Sequence, residues 1–92
     1  MNDVSIYLKN TLRSLRVKFG YTQEEAAHLL GVSVPTLRAW EVNSGGVSYR
    51  KILKIEEVYN ISQDYIFFGN DISFSEHLRK SALKRRESRG NS

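Results

Sequence analysis

Apolar residues recur at helical spacing from the start of this chain. Leu8, Leu12, Leu15 and Phe19 fall at i, i+4, i+7 and i+11, one stripe of a 3.6-residue period. They predict a helix from about Val4 to Lys18, with Asp3 as its N-cap and Gly20 stopping it by taking a positive φ. Lys9, Arg13, Arg16 and Lys18 lie off the stripe and read as a solvated face. Thr22-Gln23-Glu24-Glu25 is a capping box: the Thr22 hydroxyl can accept from the Glu25 amide, and the Glu25 carboxylate from the Thr22 amide. A second helix then carries Ala26, Ala27, Leu29 and Leu30 and ends at Gly31. Ser33 opens a third as N-cap, and Pro35 is tolerated in its first turn. Leu37 and Trp40 supply its apolar side, and it runs to about Glu41 or Val42.

The rest follows the same punctuation. Asn43-Ser44-Gly45-Gly46 reads as a flexible loop. Ser48 caps a fourth helix with Ile52, Ile55 and Tyr59 on one side, Leu53 and Val58 broadening the stripe and Asn60 as the stop. Ser62 caps a short fifth helix, Gln63 to Phe68, closed by Gly69. Beyond Asn70 the chain turns polar and then basic. Ser75 there opens a weak helix with Leu78, Ala82 and Leu83 on one side, frayed from Arg89 to Ser92. No strand pattern survives. The expectation is an all-α, compact five-helix domain over residues 1–70 and a basic tail, partly helical or disordered, over residues 71–92.

Composition narrows the function classes. A chain of 92 residues holds one domain's worth of core. The absence of cysteine excludes a disulfide scaffold, a thiolate metal site and a Cys nucleophile. No apolar run approaches the ~20 residues of a bilayer span, and Met1 to Ser5 has neither the basic nor the apolar part of a signal peptide. The formal charge of +4 is unevenly spread. Arg79, Lys80, Lys84, Arg85, Arg86 and Arg89 against Glu76 and Glu87 account for all of it, and residues 1–75 are neutral in sum. Basicity alone therefore does not locate a DNA-binding face. His28 and His77 have no second ligand at metal spacing, and Gly45-Gly46 lacks the Lys-Ser/Thr and the preceding strand of a phosphate loop. Catalysis has no support.

Two short helices joined by a tight turn at Gly31 have the spacing of a helix-turn-helix. Ala27 is the small residue where the helices approach, Gly31 takes the turn, and Leu37 pins the second helix while its opposite face stays free. Thr22-Gln23-Glu24-Glu25-Ala26-Ala27, Leu30-Gly31-Val32-Ser33, Thr36-Leu37 and Trp40-Glu41 resemble the Cro/CI-type, or XRE, helix-turn-helix family. Leu12-Arg13, Ile61-Ser62 and Tyr65-Ile66 extend the likeness to roughly residues 6–69.

The resemblance implies a lambda-repressor-like fold and a sequence-specific DNA-binding regulator. Val34, Pro35, Thr36, Arg38 and Ala39 would then face base edges from the recognition helix. Arg38 is suited to donate bidentately to guanine, and Thr36 or Ala39 to meet a thymine methyl. Gln23 matches the family's phosphate-binding, helix-bracing glutamine, and Thr22 precedes it at the same helix start. The family's Asn-Gly-Lys after Trp-Glu is replaced by Val42-Asn43-Ser44-Gly45-Gly46, and the usual proline by Val47. The loop's cation is gone. Asn43 and backbone amides remain for a phosphate, with Arg50 and Lys51 as substitute cations. Fewer direct base contacts and more shape readout are expected.

Partners follow from the same reading. Ile66, Phe67 and Phe68, with Tyr65, form an apolar cluster on a helix too short to bury all of them. Two or three would close the core, and the remainder, with Ile72 or Phe74, would form a homodimer surface suited to a palindromic double-stranded operator. The chain resembles a stand-alone Cro-like protein or short repressor more than a two-domain repressor. A cytoplasmic setting is implied, with no cofactor, membrane or small-molecule ligand expected. The alternative is a protein-binding module, such as an antitoxin or adaptor, on the same fold.

Overall fold

The computed structural model describes residues 4–90, among which there are five α-helices and no strand. They are α1 (Leu12–Lys18), α2 (Gln23–Leu30), α3 (Val34–Val42), α4 (Tyr49–Tyr59) and α5 (Asp71–Gly90), with 3-10 turns at Ile6–Leu8 and Gln63–Tyr65.

Serine and threonine caps start α1 to α4. Thr22 and Glu25 exchange both capping-box bonds, at 3.1 and 2.8 Å. Ser33 and Ser48 each accept from the amide three residues on. Gly20 (φ 71°) and Gly31 (φ 70°) end α1 and α2 in the left-handed region, where a Cβ is strained. Asn60 takes the same conformation after α4 (φ 47°). Leu12, Leu15, Ala26, Ala27, Leu30, Leu37, Val47, Ile55, Tyr59 and Ile66 form the core, with Trp40, Ile52 and Val58 packed against it.

Four expectations change. The first helix is not continuous from Val4: Thr11 and Ser14 form their own capping box, so α1 begins at Leu12. The preceding Asn10 is extended and pairs with the stretch after the second 3-10 turn, its amide on Tyr65 O (2.7 Å) and its carbonyl on Phe67 N (2.8 Å). Leu8, from the predicted stripe, is exposed. Asp3 lies outside the described residues.

The predicted fifth helix is only the turn at Gln63–Tyr65. Ile66 leaves it in extended geometry (φ −119°, ψ 131°), because the backbone there is taken up by Asn10. The Asn43–Gly46 loop is anchored: Ser44 is buried, its amide donates to Gly69 O at 2.9 Å, and its hydroxyl accepts from Gly69 N at 3.0 Å. Finally, the predicted weak helix from Ser75 is a 20-residue helix that starts at Asp71. Asn70 caps it, accepting from the amides of Ile72 (2.8 Å) and Ser73 (3.3 Å), and Asp71 in the first turn complements the helix dipole. Asn91 and Ser92 lie outside the described residues.

Candidate nucleic-acid interface

The α2–turn–α3 unit is held from below by Ala27 and Leu37, both almost fully buried, and Val32 N donates back to Ala27 O across the turn. Helical geometry then leaves the other side of α3 outward. Pro35, Arg38, Ala39 and Val42 are exposed there. Val34 is half-buried against the core, so its side chain is shared between core and surface. Thr36 sits at the edge of the face, its hydroxyl accepting from Ser33 Oγ at 2.9 Å. Val42 was not among the base-reading candidates, though it follows Arg38 and Ala39 at i+4 and i+3.

A polar chain fixes the angle of α3 against α1 and α2. Arg16 Nε and Nη2 donate to Glu41 at 2.6 and 3.1 Å, and Arg16 Nη1 donates to Tyr21 O at 3.1 Å. Gln23 Nε2 donates to the same Glu41 carboxylate at 3.2 Å, and Arg38 Nε donates to Gln23 Oε1 at 3.1 Å. The Glu41 and Arg16 side chains are 6% and 15% exposed, so the pair is well shielded from solvent screening. It raises the Arg16 pKa, chiefly through the Glu41 hydrogen bond. Burial, with Glu41 adding, pushes Tyr59 up to about 12.

Arg16 is therefore a brace, whereas its position off the apolar stripe had marked it as part of a solvated face. Arg38 pairs with Gln23; its Nη groups make no hydrogen bond within the described residues.

The phosphate candidates separate. Thr22 and Gln23 stand at the α2 N-terminus, beside α3 through the Arg38 contact. Asn43 is exposed, with its Oδ1 accepting from Gly45 N at 2.9 Å and its amide nitrogen left to donate. Arg50 is exposed in the first turn of α4. Lys51 is placed elsewhere: its ammonium donates to Leu30 O (3.1 Å) and Gly31 O (3.3 Å), because the unpaired carbonyls at the α2 C-terminus attract a cation. It braces the turn and leaves Arg50 as the exposed cation of the two.

The dimer candidates separate as well: burial removes Ile66 from any surface, while Phe67 and Phe68 stay half-buried. Ile66 is 2% exposed and belongs to the core, Phe68 packs against that core, and Phe67 stacks on Phe74 at 4.9 Å. The extended backbone at Ile66 turns that side chain inward. Of the associated residues, Phe74 is spent on Phe67, and Ile72 is open to solvent at 67%.

An uncovered α3 set on α2 through a glycine turn defines a helix-turn-helix domain, the DNA-binding class of small helical folds. The chain belongs to the helix-turn-helix family, whose pattern matches residues 12–66. It is similar to the HTH-type transcriptional regulator ImmR of Bacillus subtilis, 33% identical over 66 residues, or 72% of this chain and 52% of that protein. It is also similar to the uncharacterized HTH-type transcriptional regulator YgzD of Bacillus subtilis, 31% identical over 61 residues, or 66% of this chain and 92% of that protein. The chain thus spans about half the length of ImmR. Among the described residues no helix is long and apolar enough to cross a membrane.

Proposed function

We propose that this protein is a transcriptional regulator that binds double-stranded DNA as a homodimer on a palindromic operator and represses by excluding polymerase or a rival regulator. α3 enters the major groove. The observation that carries this reading is the outward face of α3, held at a defined angle by the Arg16–Glu41–Gln23–Arg38 chain. That face offers one strong hydrogen-bonding side chain, Arg38, among Pro35, Ala39 and Val42, with Val34 and Thr36 at its margins. It suits a guanine beside thymine methyls, with the remaining discrimination coming from DNA shape. Thr22, Gln23, Asn43 and Arg50 flank the face as phosphate contacts. The relatives named as HTH-type transcriptional regulators support the same role. It needs no catalytic step and would be carried out in the cytoplasm.

Selection of bound duplexes from random DNA tests the proposal. A two-fold motif is expected. Arg38→Ala should relax preference at one base pair per half-site, at a cost of ~1–3 kcal/mol. Uniform weakening on all sequences would make Arg38 a phosphate contact instead. Recovery of no motif at all would favour a protein-binding role for the same face.

A further inference from the structure

A cleft of about 540 Å³ opens beside the outward face of α3, between that helix, the exposed side of α1 and the first turn of α5. Arg38 and Val42 belong to both the cleft and the face, so whatever lies along α3 also lies over the cleft. Its charges fall into two groups. Arg16 and Glu41 are paired with each other and shielded. The Arg13 and Asp71 side chains make no hydrogen bond or ion pair among the described residues. Both also line a second cleft that continues between α1 and α5 past Phe74 and Leu78, and they are the two residues the clefts share. A guanidinium from α1 and a carboxylate from α5 therefore stand together at the divide.

With Arg38 assigned to a base edge, Arg13 is the cation of the cleft left without a role. Its planar fork can donate in pairs to phosphate oxygens. Gln23 lines the same cleft, and its Nε2 has a second hydrogen beyond the one given to Glu41. α3 in the major groove would carry a backbone phosphate over this opening. One wall opposes it: Asp71, half-buried, turns a negative charge into the same space.

We infer that the cleft seats one DNA phosphate on Arg13 beside Gln23, and that Asp71 attenuates this contact by holding a like charge against the phosphate. The inference rests on the DNA-binding reading above. It gives a role to Arg13, whose position off the apolar stripe had marked a solvated face, and it brings the first turn of α5 into DNA binding. A backbone contact carries no base information. Asp71 therefore lowers binding to every sequence by the same factor and leaves the preference among sequences unchanged.

Fluorescence anisotropy of the full chain on labelled duplexes, of the selected motif and of random sequence, tests this across a salt series. Each variant is first confirmed as folded by its circular dichroism melt. Arg13→Ala should weaken both duplexes equally and flatten the salt dependence by ~0.9 for each bound chain. Arg13→Lys should restore the slope. Asp71→Asn should tighten both duplexes by roughly threefold for each bound chain, most clearly at low salt. The same change in the Arg13→Ala background should gain less, because the phosphate is no longer drawn into the cleft. Three results would overturn the inference: an unchanged slope in Arg13→Ala, no gain or a gain on one sequence alone in Asp71→Asn, or full additivity of the two changes. A wild-type chain that binds duplexes while these variants are silent retires only the seat. A wild-type chain that binds no duplex retires the DNA reading and the seat with it. Binding without a selected motif, but with both variant effects intact, supports the seat and retires the operator reading.

Discussion

Leu37 in α3 and Leu83 in α5 are the same residue type on two helices of one small domain, yet they are 1% and 51% exposed. The contrast extends to the charges. In the α1–α4 body Arg16, Arg38 and Lys51 each have a named acceptor, whereas on α5 Arg79, Lys80, Lys84 and Arg86 make no hydrogen bond or ion pair among the described residues. The body uses its polar groups to fix one angle between helices. α5 is secured at its start by Asn70, along its inner side by Phe74 on Phe67, and further out by Arg85 on Tyr7. The lesson is that charge count and charge function are separated here: the neutral region holds the geometry, and the basic one is left free for surface contacts.

The largest expected effect breaks the contrast in burial. Leu37→Ala should lower unfolding free energy by ~2–5 kcal/mol in urea melts, and Leu83→Ala should change it by less than ~0.5 kcal/mol. Next comes Glu41→Gln, which leaves the shielded Arg16 without its carboxylate. Discounting the values for fully buried pairs for the partial exposure of Arg16, the loss should be ~2–3 kcal/mol, accompanied by weaker DNA binding because α3 loses its brace.

Tyr59 provides a pH test of the same region. The unfolded chain gives up this proton near pH 10, and the folded chain keeps it until about 12. The contribution is therefore fully present below pH 10 and is lost as pH rises through that window, by ~2–3 kcal/mol in all. Tyr59→Phe should flatten this part of the alkaline stability profile relative to wild type. Ser44→Ala removes hydrogen bonds to Gly69 at a buried site and should cost ~1–2 kcal/mol, read by thermal melting. The smallest effect belongs to α5: Arg85→Ala should speed amide exchange along the outer part of α5 severalfold while leaving α2 and α3 protection unchanged.

The punctuation of the chain was legible in the sequence, and its long-range closures were not. Thr22, Ser33, Ser48, Gly20, Gly31 and Asn60 act as caps and stops by local rules, and Ala26, Ala27, Leu30, Leu37, Ile55 and Tyr59 are buried at their helical periods, whereas Leu29 and Leu53 are exposed. The resemblance carried by Thr22–Glu41 identified the helix-turn-helix and its outward face. The start of α1 was misplaced because Leu8 continues a helical stripe that the Thr11–Ser14 box interrupts. The fifth helix was misplaced because Asn10, more than fifty residues away in sequence, claims the backbone at Tyr65–Phe67. Arg16 and Glu41 lie 25 residues apart, and no local pattern pairs them. Two signals of local type also went against the periodicity: the Thr11–Ser14 box opens α1 at Leu12, and Asn70, five residues before Ser75, caps α5.

The Ser44 anchor sets limits on how this domain can be rebuilt. One hydroxyl and one amide join the chain just after α3 to the chain just before α5. Residues 34–42 can be exchanged for another helix without cutting that knot, provided Val34, Leu37, Trp40 and Glu41 are kept. A boundary drawn at Gly69 would sever it, so a transplantable cassette has to run past Asn70 and carry the opening turn of α5 with it. The two segments on either side of the knot, 43–46 and 67–70, are in engineering terms a single part, to be moved together.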